Sequence, residues 1–358
     1  MFIKKQILSK AAKLKNPVSG VFELTPRCNF NCRMCYIKMQ EDEVKALGGE
    51  LSINDWMAIC DDAYENGMLY LLLTGGEVFL LEDFPVLYRH AYEKGIILSI
   101  NSNGSLITDS HLQMLKEMPP EKINITLYGD SPEMYGKLCN NPNAYKTVTE
   151  NILKLKDNGI RVSLNCSLTR LNAGALDNLI DFALKNELPI NIATYMFPPM
   201  RNGCSEYESI RLSAEECGKI RAYLDYRDES SRDKKKQLIA DGAKIDRLNV
   251  ECPESGTKCM AGRCSFWMTW QGKMSACGMF ADTVDYKIGN FDRAWSQIVE
   301  KTNLITYPDE CNECKYGTLC TCCAAINFAE GGAFNAVPKF FCDMTDAYIK
   351  EFERLSSM

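Results

Sequence analysis

Residues 21–39 read VFELTPRCNFNCRMCYIKM. The run at 21–24 is short, apolar and β-rich, and the polar loop that follows it places Cys28, Cys32 and Cys35 in a Cx3Cx2C array. A strand that delivers three thiols to one loop defines the unit to look for downstream. Further β-rich runs at 69–74, 96–101, 123–128, 161–168 and 190–195 alternate with amphipathic stretches at 52–65, 83–93, 109–117, 145–158 and 175–185. Alternation of this kind predicts βα units around a parallel sheet. Gly67, Gly95 and Gly159 stand where helices should stop, and Ser52 with Asp55 resembles a capping box with Asp in the usual Glu position. Six strands are fewer than the eight of a closed barrel, so the fold class predicted for residues 1–197 is α/β, an open, partial (βα)6 TIM-like barrel. Ligands of such folds collect at the carboxyl ends of the strands, where the three thiols lie.

Composition narrows the chemistry. Hydrophobic residues at 46% and charged residues at 25% are ordinary for a soluble globular protein, but 18 cysteines in 358 residues are not. Three fall within 28–35, ten within 252–342, and five between. Clustering points to metal ligation rather than to disulfide staples, and it predicts a cytoplasmic chain whose thiols stay reduced. The formal net charge of -6 offers no basic footprint for nucleic acid. The basic start MFIKKQILSKAAKLKN lacks the apolar core of a secretion signal, and no apolar run approaches a membrane span, so neither nucleic acid nor a membrane is expected as a partner. The stretch 198–250, with two prolines and then charged segments, reads as a helical linker. Residues 251–358, where periodicity fades and cysteines dominate, read as a domain held together by metal.

Soft sulfur ligands select iron–sulfur clusters or zinc. Three thiolates hold three corners of a [4Fe–4S] cube and leave the fourth iron open, whereas structural zinc is closed by four ligands and neither His90 nor His111 lies nearby in sequence. The array, with Met34 before the last cysteine and Tyr36 after it, resembles the signature of radical S-adenosylmethionine (radical SAM) enzymes. In LLLTGGEVFL, residues 71–80, Gly75, Gly76 and Glu77 resemble that family's GGE motif. The resemblance implies a [4Fe–4S] cluster on the three cysteines that chelates S-adenosylmethionine, with Gly75, Gly76 and Glu77 at its methionyl amino group. It also implies that Ser102, Thr126 and Asn165, at the ends of later strands, touch the nucleotide; as residues alone they fit a turn and backbone pairing equally well.

The segment CMAGRCSFWMTWQGKMSACGMF, residues 259–280, spaces Cys259, Cys264 and Cys277 as Cx4Cx12C, with Gly272 five residues before the last. Cys311, Cys314 and Cys320 then follow as Cx2Cx5C, with Cys322, Cys323 and Cys342 beyond. This pattern resembles a SPASM domain, the cysteine-rich appendage of peptide- and protein-modifying radical enzymes. The resemblance implies two auxiliary [4Fe–4S] clusters, one on Cys259, Cys264, Cys277 and Cys323, the other on Cys311, Cys314, Cys320 and Cys342. Position 324, where the family pattern expects a ligand, is alanine, and Cys323 is preferred over Cys322 as the nearer substitute. Zinc knuckles remain open for these pairs.

The implied activity is reductive cleavage of S-adenosylmethionine to a 5′-deoxyadenosyl radical that abstracts hydrogen from a peptide or protein, giving an oxidation or a thioether or carbon–carbon crosslink. A small-molecule dehydrogenase or epimerase is the alternative within the class; an iron–sulfur electron carrier or a zinc module is the alternative outside it. Cofactors would be three [4Fe–4S] clusters and S-adenosylmethionine, with flavodoxin or ferredoxin as reductant. About 20 residues precede the first strand, so either a separate leader-binding protein captures a leader peptide, or the barrel mouth does, or the substrate is small. Cys204, in the loop FPPMRNGCSEYES after the sixth strand, is a candidate hydrogen-atom donor, and Arg201 beside it a candidate for a substrate carboxylate. A buried thiol and an ordinary surface arginine are the plain alternatives.

Overall fold

The computed structural model describes residues 2–199, 206–241 and 256–358. Cys204, Arg201 and Cys252 lie outside the described residues. The chain divides into two compact units, one of Met1–Ala193, Pro199–Ile210 and Ala261–Val299, the other of Thr194–Pro198, Arg211–Met260 and Glu300–Met358.

Six parallel strands carry the first unit: β1 (Ser19–Glu23), β2 (Tyr70–Thr74), β3 (Ile97–Ser102), β4 (Lys122–Thr126), β5 (Val162–Ser167) and β6 (Ile190–Ala193). Each pairs with its sequence neighbour, as the alternating pattern predicts for a partial barrel. Helices Ile53–Glu65, Phe84–Glu93, Asp109–Glu117, Ala144–Asp157 and Leu176–Lys185 form the crossovers. Ser52 and Asp55 form the expected reciprocal cap, and Gly67, Gly95 and Gly159 take positive φ where the helices end.

Strand alternation gives the sheet two different faces. Phe22, Leu73, Ile100, Ile123 and Val162 stand in register, all at most 3% exposed, and Phe22 packs on Trp56 of helix Ile53–Glu65 with ring centroids 5.1 Å apart. Each such side chain contributes about 1.5–3 kcal/mol by leaving water. The opposite face is polar toward the carboxyl ends. Glu23 faces Thr74; Asn101, Asn124 and Ser163 form one register row; Thr126, Asn165 and Asn191 form another. A closed barrel fills its interior with branched apolar layers. This one keeps hydrogen-bonding groups there instead.

Sequence reading assigned residues 251–358 to one cysteine-rich domain, but part of that stretch completes the barrel sheet. The strand β7 (Ser265–Met268) pairs in parallel with β1 on the side away from β2, followed by antiparallel β8 (Lys273–Ser275) and β9 (Val284–Asp285). An unpaired β1 edge would leave backbone donors and acceptors open, and β7 satisfies them. The region read as a linker likewise supplies core. Helices Ala214–Arg227 and Glu229–Asp241 join the closing helix Lys339–Ser356 in the second unit, around Ala222, Ile239, Leu319, Tyr348 and Phe352. At Gly218 a Cβ would lie 2.3 Å from the Met344 carbonyl oxygen, so that crossing requires glycine. Among the described residues no helix is long and apolar enough to cross a membrane.

Candidate iron–sulfur and nucleotide site

The loop after β1 is held from two sides. Arg27 binds Glu50 through Nε to Oε1 at 2.9 Å and Nη2 to Oε2 at 2.7 Å, and the Thr25 hydroxyl donates to the same carboxylate. Farther along, the Asn31 and Arg33 amides donate to the carbonyls of Cys139 (3.1 Å) and Leu138 (2.9 Å). Those carbonyls end helix Pro132–Cys139 and would otherwise lack partners. The three cysteines are thus fixed by backbone before any metal binds.

Their sulfurs are prepared as ligands. The Phe30 amide donates to Cys28 Sγ at 3.4 Å, and the Lys38 amide to Cys35 Sγ at 3.3 Å. Burial pushes the Cys28 thiol up to about 12, helped by the nearby charges of Glu77, Cys32 and Cys35. Burial also raises Cys35. Cys32 moves the other way, because the Cys139 thiol and then the Tyr128 hydroxyl donate to it against its own desolvation. Three crowded thiols disfavour one another as thiolates, and that cost is relieved when iron takes their charge. The donor set suits a [4Fe–4S] cluster with one iron left for another ligand. Among the described residues no three His, Cys, Asp or Glu side chains stand close enough to hold a single metal ion.

The turn after β2 lies directly on this loop. The Gly76 amide donates to the Thr25 carbonyl at 2.6 Å and the Glu77 amide to Arg27 at 3.0 Å. A Cβ on Gly76 would fall 2.1 Å from the Arg27 oxygen, and one on Gly75 2.6 Å from that of Thr25. The glycines therefore admit the backbone of the cysteine loop. Glu77 is fully buried; its Oε1 accepts from Ser102 Oγ (2.7 Å) and the Phe79 amide (3.2 Å), its Oε2 from the Asn103 amide (2.7 Å). Burial outweighs these bonds and raises its carboxyl to about 7. Glu77 and Ser102 together tie the ends of β2 and β3. Met34 and Tyr36 are half-buried on the loop, and Thr126 and Asn165 face each other in register on the inner face.

Several residues at this site carry no motif. Asn103 reaches Cys28 Sγ at 3.6 Å and Asn29 Oδ1 at 2.9 Å through Nδ2. Glu23 is buried, accepts from Trp267 Nε1 at 3.1 Å, and helps line a cavity of about 250 Å³ with Met39 and Trp270. Asn124 Nδ2 donates to Asn101 Oδ1 at 2.7 Å. The signal for these was polar residues at alternate strand positions, which means little until register is known.

In the second unit Cys311, Cys314, Cys320 and Cys342 line one cavity of about 140 Å³ with Tyr307 and Tyr316. Burial, then the charges of Cys342, Cys320 and Cys314, push the Cys311 thiol up to about 11. Cys322 lines the same cavity, and its thiol donates to Asn327 Oδ1 at 2.6 Å, whereas Cys323 precedes helix Ala324–Gly331 at its N-cap. Cys264 and Cys277 belong to the first unit, where the Met279 amide donates to Cys277 Sγ at 3.4 Å. Gly272, at φ +76°, makes the turn between β7 and β8. Cys259 and Cys323 belong to the second unit.

Comparison with known proteins joins this geometry to a family. The Radical SAM superfamily matches over residues 22–183, which spans β1 to the helix after β5 and so includes every residue placed around the three-thiol loop. The AdoMet-dependent heme synthase of Oleidesulfovibrio alaskensis is 24% identical over 336 residues, 88% of this chain and 84% of that protein. The PqqA peptide cyclase of Rhizobium meliloti is 26% identical over 182 residues, 51% of this chain and 48% of that one. Among solved structures, anSMEcpe with bound AdoMet and the Cp18Cys peptide superimposes with a TM-score of 0.69 at 15% identity, covering 95% of this chain and 98% of that one; the likeness establishes the shared fold. With a partial barrel of this order, a Cx3Cx2C loop at the end of its first strand and that match across it, residues 22–183 are a radical SAM domain.

Proposed function

We propose that this enzyme is of the SPASM type and oxidatively modifies or crosslinks a peptide or protein. The observation that carries the reading is the presence, in one chain, of an open three-thiol loop at the carboxyl end of β1 and a four-thiol cavity at Cys311, Cys314, Cys320 and Cys342. Cys28, Cys32 and Cys35 would hold the catalytic [4Fe–4S] cluster, and the eight later ligands two auxiliary clusters. When bound, the catalytic cluster and S-adenosylmethionine supply a 5′-deoxyadenosyl radical. The protein's part is to position. Arg27 and Glu50 fix the loop, Asn103 and the Phe30 and Lys38 amides donate to ligand sulfurs, and Glu77 with Ser102 holds the strand ends that line the nucleotide. Gly75, Gly76 and Glu77 at the methionyl group, and Thr126 and Asn165 at the nucleoside, remain the binding assignments we favour. A flavodoxin- or ferredoxin-type reductant and a separate leader-binding protein complete the partners proposed, in the cytoplasm.

A porphyrin reaction is the second reading, favoured by the heme synthase likeness along most of both chains. The cysteine pattern of the second unit favours the peptide. The inner face does not choose between the two, since its rows carry amides, hydroxyls and Glu23 together with Lys122, which stands opposite Ser99. Anaerobic protein with dithionite and S-adenosylmethionine, supplied in parallel with peptides encoded beside its gene and with iron porphyrins, distinguishes the two. Peptide-stimulated 5′-deoxyadenosine and a peptide mass loss of hydrogen support the first reading; stimulation by the porphyrin alone overturns it.

A further inference from the structure

The Asn103 side chain, on a residue only 4% exposed, has a hydrogen-bond partner for each of its donors and acceptor sites. Its Oδ1 accepts from the Ser105 amide at 2.9 Å and the Ser105 hydroxyl at 2.7 Å, while Nδ2 donates to Asn29 Oδ1 at 2.9 Å and to Cys28 Sγ at 3.6 Å. A backbone amide can only donate, so the Ser105 N–H fixes which end of Asn103 is oxygen. The amino end therefore faces the sulfur.

Three side chains close a ring around this contact. Asn29 Nδ2 donates to Ser105 Oγ at 2.8 Å, Ser105 Oγ donates to Asn103 Oδ1, and Asn103 Nδ2 donates back to Asn29 Oδ1, so the bonds run in one direction and each polarises the next. Of the three residues only Asn103 is buried. One of its amide hydrogens is left over from the ring, and Cys28 Sγ receives it. The Asn103 backbone amide donates to Glu77 Oε2 at 2.7 Å, which anchors the residue at the end of β3. Cys28 thus takes two N–H donors, from Asn103 and from the Phe30 amide at 3.4 Å, whereas the Lys38 amide serves Cys35 at 3.3 Å.

We propose that Asn103, oriented by Asn29 and Ser105, is a positioning residue whose side-chain N–H to Cys28 Sγ raises the reduction potential of the cluster held by Cys28, Cys32 and Cys35. The inference rests on the catalytic-cluster reading above. Reduction makes a cluster and its thiolates more negative, and an N–H aimed at a ligand sulfur stabilises that form over the oxidised one. Asn103 would make the cluster easier for a flavodoxin- or ferredoxin-type donor to reduce.

The test is a redox titration followed by electron paramagnetic resonance in full-length protein, the signal in question being the one absent from a Cys28→Ala, Cys32→Ala, Cys35→Ala variant. Asn103→Leu, similar in shape but without the donor, should lower that potential and shift the reduced-to-oxidised ratio at fixed potential by about tenfold, or 59 mV for a one-electron couple. Signals of the other clusters should stay in place and serve as internal control. Ser105→Ala should shift the potential less, because the Ser105 amide still holds Asn103 Oδ1. An equal shift in both variants would assign the effect to loss of the ring and contradict the proposal. Unchanged potential in Asn103→Leu overturns the inference while leaving the cluster reading intact; wild type without iron at the three cysteines overturns both. Should Asn103→Leu fold but not load this cluster, wild type decides: with the heavy nitrogen isotope at asparagine side-chain amides, pulsed resonance of the reduced cluster should show coupling to that isotope, and its absence contradicts the hydrogen bond.

Discussion

The two best-formed thiol groups of the molecule are built on opposite plans. On the loop after β1, three cysteines are set by backbone: amides of Phe30 and Lys38 point at Cys28 and Cys35, and the end of helix Pro132–Cys139 holds the loop through Asn31 and Arg33. Around the second-unit cavity, four cysteines gather from the short helix Asp309–Glu313, the segment after it and a distant helix, with Cys342 on the closing helix and Cys311 feeling chiefly burial and its fellow thiols. A rigid loop with three ligands presents an open corner next to a strand end that can take a nucleotide. A cavity with four ligands is complete without any substrate. On the function proposed above, the first would generate the radical and the second would handle electrons.

The largest expected effect breaks the first group. A Cys28→Ala, Cys32→Ala, Cys35→Ala variant should make no 5′-deoxyadenosine above background while keeping about eight of roughly 12 irons. Removing a ligand of the second group should separate the functions. Cys342→Ala should lose about four irons and the modified product, yet still cleave S-adenosylmethionine when measured by chromatography. In the same assay Cys323→Ala should lose a cluster and Cys322→Ala should not, since the Cys322 thiol is engaged with Asn327. Equal iron loss in both would reassign the ligand.

Glu77 sharpens the comparison through pH. Its folded carboxyl titrates near 7, above the ordinary 4.5, so folding takes up a proton between those values. Its contribution to stability is therefore present at low pH and lost as pH rises through 7. Urea unfolding of iron-free protein should show wild type losing ground to Glu77→Gln between pH 5 and 8, by up to about 3 kcal/mol. Parallel pH profiles would contradict the buried, charged Glu77. The smallest effect is steric. Gly76→Ala must push the Arg27 backbone aside and should cost about 1–3 kcal/mol, with looser iron binding at the first loop but none at the second-unit cavity.

Much of this architecture was legible in the order of residues. Strands β1 to β6 follow from alternation and from glycine stops, and the cysteine spacings needed no structure. What escaped was long-range. Residues 265–268 lie between two cysteines, and nothing local in SFWM announces a parallel partner at 19–22, some 240 positions away. Helix Pro132–Cys139 is not among the helical stretches read from the sequence, although Ser131 capping it and Pro132 at its first position are ordinary start signals. The same helix brings Cys139 to Cys32, a neighbour that spacing alone could not supply. Asn101, Asn124 and Asn191 are unremarkable in sequence and become a polar lining only through strand register.

The central claim is that Cys28, Cys32 and Cys35 hold an open cluster that works on S-adenosylmethionine. Anaerobically purified protein, reduced with dithionite in the presence of S-adenosylmethionine and assayed for 5′-deoxyadenosine and methionine, tests it most directly. The account predicts both products in equal amounts from a brown protein carrying roughly 12 irons; zinc in place of iron, or iron-loaded protein that forms neither product, would contradict it.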